Sequence, residues 1–198
     1  PKGMNTHSIW LFSADEVTGP YELVNGPLTD QYNNDATLFE DEDGETYLYC
    51  SGNGLFQAKI DLQSGELERG EIEKFLAKDS EGNPDWLIGG IEGPFVIKRD
   101  GTYFMFFSSW TRGYEVGLLK SNSPLGPWEF ASREPIFGTR KKGYRQELAI
   151  GGGYDDLEFQ DSEDPYAETG HNALFEGPDG NLWTSCHYLM YENRPYPY

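Results

Sequence analysis

The sequence predicts an all-β chain of the β-propeller type, and three observations carry that prediction. The first is a unit that recurs three times: an apolar strand, an Asp-Gly hairpin, then an aromatic strand. Ala36-Thr37-Leu38-Phe39-Glu40 precedes Asp43-Gly44 and Thr46-Tyr47-Leu48-Tyr49; Gly93-Pro94-Phe95-Val96-Ile97 precedes Asp100-Gly101 and Tyr103-Phe104-Met105-Phe106; Asn172-Ala173-Leu174-Phe175-Glu176 precedes Asp179-Gly180 and Leu182-Trp183-Thr184. The second is a shorter repeat, Gly19-Pro20-Tyr21-Glu22 and Gly126-Pro127-Trp128-Glu129. The third is composition: 24 Gly, 12 Pro and 15% aromatic residues make a turn-rich chain, and no convincing amphipathic helix interrupts it. A single hairpin unit cannot bury both of its faces, so such units pack radially as blades, with insertions between them.

In chain order, Ile9-Trp10-Leu11-Phe12-Ser13 reads as a short strand, and Thr18-Gly19-Pro20 as the turn into another. The first full unit follows. Lys78 to Pro84 is polar and reads as a loop, and Trp86-Leu87-Ile88-Gly89-Gly90 leads into the second unit. That unit begins Ile91-Glu92-Gly93-Pro94 and ends in the aromatic strand that closes at Ser108. Residues 138–168 hold Arg140-Lys141-Lys142, Gly151-Gly152-Gly153 and a run of acids from Asp155 to Glu168, the pattern of a long surface excursion. In this acidic chain the basic cluster reads as a solvated face. The apolar first strands of the units would lie innermost. The residues just before them would then converge at one mouth of a central channel.

A net charge of −19 repels phosphate backbones and anionic lipid, so nucleic acid and membrane surfaces are poor partners; neutral ligands such as sugars, and cations, are compatible. No apolar run approaches the length needed to span a bilayer. Cys50 and Cys186 each end an aromatic strand and read as two buried free thiols.

The convergence puts Asp35, Glu92 and His171 around one hollow. A glutamate set against so much apolar and aromatic surface is poorly solvated as an anion, which suits a group that holds and delivers a proton. Two carboxylates and an imidazole can do acid–base work, hold a cation, or both. Cleaving a glycosidic bond needs an acid for the leaving oxygen and a base or nucleophile across the ring. Sugar rings also stack on aromatic faces, and Trp86, Trp110, Tyr114 and Phe39 are the nearest supply; core or blade packing is the competing reading for each, least so for Trp110, which lies on a loop.

These blocks resemble glycoside hydrolase family 43, the five-bladed propeller enzymes acting on arabinans, xylans and related sugars. Three stretches carry the resemblance: Asp35-Ala36-Thr37-Leu38-Phe39 with its Asp-Gly turn, Ile91-Glu92-Gly93-Pro94-Phe95, and Gly170-His171-Asn172 with Pro178-Asp179-Gly180. Val116-Gly117-Leu118 with Gly126-Pro127-Trp128 adds to it. The resemblance implies an inverting hydrolase with Glu92 as general acid and Asp35 as the carboxylate that tunes its proton affinity and orients the sugar. It also implies a calcium ion on the propeller axis near His171, and a secreted or periplasmic setting. The family's catalytic base lies at the start of the first blade's inner strand, and Asp15, in a turn between outer strands, is a poor substitute. The expectation is therefore an incomplete propeller of about three and a half blades, in one domain over residues 1–198, inactive alone unless the base comes from elsewhere. The alternative expectation is a non-catalytic carbohydrate-binding propeller. Open sheet edges at both ends would favour self-association.

Overall fold

A computed structural model describes residues 7–77, 80–87, 90–139 and 166–190. Their regular structure is strand, with a single 3-10 turn at Asp85–Leu87 and no α-helix among the described residues. Four antiparallel sheets follow one another along the chain. The first pairs β1 (Leu11–Ser13) with β2 (Glu22–Asn25). The second runs in the order β3 (Asn34–Glu40), β4 (Thr46–Gly52), β5 (Gly54–Ile60), β6 (Glu73–Leu76). In the third, β7 (Ile91–Arg99), β8 (Thr102–Ser109), β9 (Tyr114–Ser121) and β10 (Glu129–Phe130) are neighbours in that order, and β11 (Phe137–Thr139) also pairs β9. The fourth pairs β12 (Tyr166–Glu176) with β13 (Leu182–Met190). The first strands of the last three sheets are neighbours: β7 touches β3 on one side and β12 on the other. This is the radial arrangement that the repeats predict.

Strand alternation explains how the sheets stack. On β4, Leu48 and Cys50 point to one side, where they meet Ile9 from before β1 and Phe56 and Ile60 of β5. Tyr47 and Tyr49 point to the other side, where they meet Ile91, Val96, Met105 and Phe107 of the third sheet. One period-2 pattern thus fills two interfaces, one on each face of the same sheet. The expectation of buried apolar first strands is only partly met. β4 is buried along nearly its whole length, whereas residues of β3 are half-buried or exposed. The aromatic strands carry most of the packing, joined by Ile91 and Val96 of β7.

The hairpins use their Asp-Gly pairs in two ways. Asp100 and Gly101 both take positive φ (50° and 76°), the two-residue turn that fits the right-handed strand twist. The other two turns are longer. Gly44 (φ 82°) closes onto Asp41 and Gly180 (φ 74°) onto Gly177, each through an amide-to-carbonyl bond of 2.9 Å. The Gly-Pro-aromatic repeat is also real in three dimensions: Gly19 and Gly126 share positive φ (77° and 81°), and both peptide bonds to the prolines are cis. Gly117 of β9 has a packing reason. A Cβ there would sit 2.4 Å from Phe107 and 2.5 Å from Trp86, which stack at 5.8 Å. Gly117→Ala is therefore expected to lower stability by about 1–3 kcal/mol through overpacking, read as a lower urea midpoint at unchanged slope.

The second and third sheets are also tied by charge. Buried Asp41, at the end of β3, accepts from Lys98 Nζ of β7 at 2.7 Å and from the Tyr103 hydroxyl of β8. Burial alone would raise the Asp41 carboxyl, but Lys98, Tyr103 and the Glu42 amide together outweigh it and hold the pKa below the ordinary value. A depressed carboxyl stabilises the fold above its unfolded pKa, about 3.9, and that contribution is lost as pH falls through the folded value. The stability gap between wild type and Asp41→Asn should then be constant near neutrality and close below about pH 4, in urea titrations run across that range.

Three expectations need correction or placement. Cys186 is exposed on β13, while Cys50 is fully buried; both are free. The excursion over residues 138–168 is bounded by structure, since Phe137–Thr139 is β11 and Tyr166–Glu168 already belongs to β12. The Arg140-Lys141-Lys142 cluster, the three glycines and most of the acidic run lie outside the described residues. No helix among the described residues is long and apolar enough to cross a membrane.

Candidate active site

Asp35, Glu92 and His171 lie within the inner strands rather than ahead of them, because β3 starts at Asn34, β7 at Ile91 and β12 at Tyr166. Each of these strands slips its pairing at the site: between Asn34 and Thr37, between Glu92 and Phe95, and between Gly170 and Ala173. Each slip holds one residue at left-handed φ: Asp35 at 51°, Gly93 at 62° and His171 at 51°. That conformation is uncommon outside glycine, and bulges of this kind re-aim side chains beside functional sites. The repeat is thus in step at Asp35, Gly93 and His171, and Glu92 stands one residue before its bulge.

Ser51 of β4 joins the two carboxylate positions. Its hydroxyl donates to Asp35 Oδ2 at 3.1 Å and accepts the Gly93 N–H at 2.9 Å. Ser51 is buried and so is its bond from Gly93, while the bond to half-buried Asp35 reaches the open side. One sheet further on, Ser108 of β8 accepts the His171 N–H at 2.9 Å. The two serines occupy one register position, since Ser51 pairs Asn34 and Ser108 pairs Glu92. The corresponding residue in β13, paired with Gly170, is His187.

The other groups close around Glu92. The Tyr114 hydroxyl donates to Glu92 Oε1 at 2.6 Å. Burial first, then the Glu92 charge and the hydrogen bond to it, push the Tyr114 hydroxyl far above its ordinary pKa, and the Asp35 charge pushes the same way. Tyr114 therefore stays a donor, and both carboxylates lie within electrostatic reach of its one phenol. The Asp35 charge, after burial, also helps push the Cys50 thiol up to about 12, which leaves that sulfur protonated and inert. The His171 ring rests against Gly93, where a Cβ would come within 3.0 Å of it. His187 faces Tyr114 at 4.9 Å and His171 at 6.0 Å between ring centroids. Desolvation, then the neighbouring His171, hold the His187 imidazole below its ordinary pKa despite a hydrogen bond to the Glu168 backbone.

The four aromatics named from sequence fall into three places. Trp86 is 2% exposed, stacks on Phe107, and gives its indole N–H to the Arg133 carbonyl, so it is core and has no face for a sugar. Phe39 lies toward the hairpin end of β3 and meets Tyr103 edge-on at 6.0 Å, away from Asp35. Tyr114 is at the site but buried, with its hydroxyl committed to Glu92. Trp110 follows β8 at the rim, half-buried, its backbone N–H on the Gly90 carbonyl at 3.2 Å.

Calcium takes roughly six to eight oxygen ligands. The side chains around His171 include the nitrogen donors of two imidazoles, and no group of three or more His, Cys, Asp or Glu side chains is placed to hold an ion among the described residues. The calcium near His171 stays an expectation of the family resemblance, and no step below runs through a metal.

Sheets packed radially around inner strands, with Ser51 joining Asp35 to the amide that follows Glu92 at one end of those strands, define a partial β-propeller. The profile of the glycosyl hydrolases family 43 matches residues 1–198, and the chain belongs to that family. It is 29% identical over 185 residues to a β-D-galactofuranosidase, xynD, of Aspergillus niger, covering 89% of this chain and 43% of that protein. It is 26% identical to a xylan 1,3-β-xylosidase of a Vibrio species, covering 73% of this chain and 28% of that one. Among solved structures, a thermostable family-43 glycoside hydrolase superimposes with a TM-score of 0.67 at 28% identity, covering 96% of this chain and 60% of that one. The chain therefore spans less than half the length of these curated relatives.

Proposed function

We propose that this chain carries the acid side of an inverting glycosidase centre acting on arabinose- or xylose-containing plant polysaccharides or oligosaccharides. Glu92 is the general acid that protonates the leaving oxygen, and Asp35 orients both the sugar and Glu92. The observation that carries this reading is the Ser51 hydroxyl, which ties the Asp35 carboxylate to the amide beside Glu92 and so fixes two acids from distant parts of the sequence in one frame. The names of the relatives, a galactofuranosidase, a xylosidase and, at 26% identity, an extracellular endo-α-(1→5)-L-arabinanase of Bacillus subtilis, support a neutral sugar.

A second reading, a carbohydrate-binding propeller without hydrolysis, is favoured by one observation. Inversion needs a base across the ring from the acid. In the first sheet the candidate, Asp15, is exposed in the connection between β1 and β2. Assays with aryl-arabinofuranoside and aryl-xyloside separate the two. Turnover that depends on Glu92 supports the hydrolase, and oligosaccharide binding without turnover supports the binding module.

Self-association belongs to the same proposal. Trp10 just before β1, Phe12 and Leu23 on the first sheet and Phe175 and Trp183 on the last are each about half exposed, an apolar surface that favours partners. Light scattering should give a mass above that of one chain, and a monodisperse monomer would count against it.

A further inference from the structure

The register places three polar side chains on one face of the third sheet. Glu92 of β7 pairs Ser108 of β8, Ser108 pairs Val116 of β9, and Tyr114 stands two residues before Val116. Paired residues, and residues two apart on a strand, share a side. On that face the Tyr114 hydroxyl donates to Glu92 Oε1 at 2.6 Å. Ser108, which accepts the His171 N–H at 2.9 Å, also hydrogen-bonds the Tyr114 hydroxyl. Ser108 and Tyr114 are both buried, so water competes little for these bonds.

From this geometry we infer that Tyr114 is a positioning residue for the acid: its hydroxyl reserves Oε1 of Glu92 as an acceptor, so the proton that reaches the leaving oxygen departs from Oε2. The inference rests on the hydrolase reading above and gives the two carboxyl oxygens separate tasks. A protonated carboxyl carries its hydrogen on one oxygen and accepts best at the other. With Oε1 engaged by a donor, the hydrogen sits on Oε2. When the bond between the anomeric carbon and the leaving oxygen breaks, its electron pair stays on that oxygen, which takes the Oε2 proton. Water adds to the carbon, and its surplus proton goes to the base that inversion requires. Glu92 is left as an anion, so the Tyr114 bond gains a charged acceptor. Charge-assisted hydrogen bonds are roughly twice as strong as neutral ones. An interaction that strengthens along the reaction lowers the barrier rather than tightening substrate binding.

The Tyr114 ring is seated by the fourth sheet. A Cβ on Gly170 would lie 2.5 Å from that ring and 3.2 Å from Ser108 Oγ, so the backbone of β12 rests on both. Gly170 pairs His187, whose ring also meets Tyr114, at 4.9 Å between centroids. Any larger residue at position 170 must push the phenol, and with it the bond to Glu92. Gly170 thus acts on the acid from a neighbouring sheet, through Tyr114.

The test uses the full chain and a series of aryl arabinofuranosides and aryl xylosides whose phenols differ in acidity. A poor leaving group needs the proton, whereas an activated one such as dinitrophenolate departs without it. Tyr114→Phe should therefore lower kcat for the poor leaving groups by roughly tenfold to a hundredfold, as loss of a hydrogen bond to a charged group implies. The activated substrates should be spared and KM little changed. Gly170→Ala, which keeps the hydroxyl but moves the ring, should give the same pattern with a smaller loss. Equal losses across the series, or none, would overturn the inference and leave Glu92 as the acid. A second readout needs no turnover. The Tyr114 hydroxyl proton, shielded from water, should give a downfield NMR signal that vanishes in Tyr114→Phe and moves in Glu92→Gln. If wild type shows no Glu92-dependent turnover, the hydrolase reading falls, and this signal decides whether Tyr114 still fixes the Glu92 carboxyl. A signal indifferent to Glu92→Gln would overturn that as well.

Discussion

Glu92→Gln is expected to abolish hydrolysis of aryl-arabinofuranoside or aryl-xyloside while oligosaccharide binding persists. The substitution keeps the shape of the side chain and its ability to accept from Tyr114, but the amide has no proton of suitable acidity for a leaving oxygen. General acid catalysis contributes about a hundredfold to ten-thousandfold, and that is the loss to expect in kcat. The fold should be untouched, because Glu92 is only half-buried and the bond from Tyr114 can form to the amide carbonyl as well. Steady-state kinetics alongside calorimetry make the check. A variant with near-normal kcat would remove Glu92 from the chemistry, and one that no longer binds sugar would make it a binding group.

Ser51→Ala is expected to have the second largest effect, from a residue that never touches the sugar. Two bonds disappear at once. The Gly93 N–H is left without its acceptor, and an unmade bond at a buried donor costs about 1–3 kcal/mol. Asp35, held at a positive φ, loses the hydroxyl that fixes its carboxylate. Stability should drop by that amount, and kcat should fall by roughly tenfold to a hundredfold with little change in KM. A purely structural role would produce the first effect alone. A double-mutant cycle sorts them: if Ser51 works through Asp35, adding Ser51→Ala to Asp35→Asn should cost kcat almost nothing further. Fully additive losses would mean that the serine acts elsewhere.

The parts of this molecule that sequence makes legible are the ones written in repeats. The Asp-Gly turns, the aromatic strands and the radial order of sheets all follow from a pattern that recurs, and Asp35, Glu92 and His171 stand out because they recur with it. The offset of Glu92 by one residue was not legible, because all three strands carry the same bulge and the shift arises in the hairpins: Arg99 pairs Thr102 across a two-residue turn, whereas Glu40 pairs Thr46 and Glu176 pairs Leu182 across longer ones, so counting back from the turn glycines puts Glu92 level with Asp35 and His171. Only the paired φ values reveal that Gly93, and not Glu92, is the counterpart of Asp35 and His171. Ser51 and Ser108 were missed because serine at a strand end is common. The signal that could have found them is their shared place after two aromatic strands, in Tyr49-Cys50-Ser51 and Phe106-Phe107-Ser108. Trp86 and Phe39 were misjudged for the opposite reason. Proximity in sequence to a site residue says nothing about which face of a strand or turn a side chain takes, and here the core took Trp86 and the hairpin end took Phe39.

The account rests on Asp35 and Glu92 sharing one hollow, held in common by Ser51. Carboxyl-carbon NMR tests this directly, with the two resonances assigned by Asp35→Asn and Glu92→Gln. On titration with a neutral oligosaccharide, both signals should move, with one dissociation constant, and Ser51→Ala should perturb both in the free protein. Movement of one carboxylate without the other, or two unrelated binding curves, would contradict the shared site.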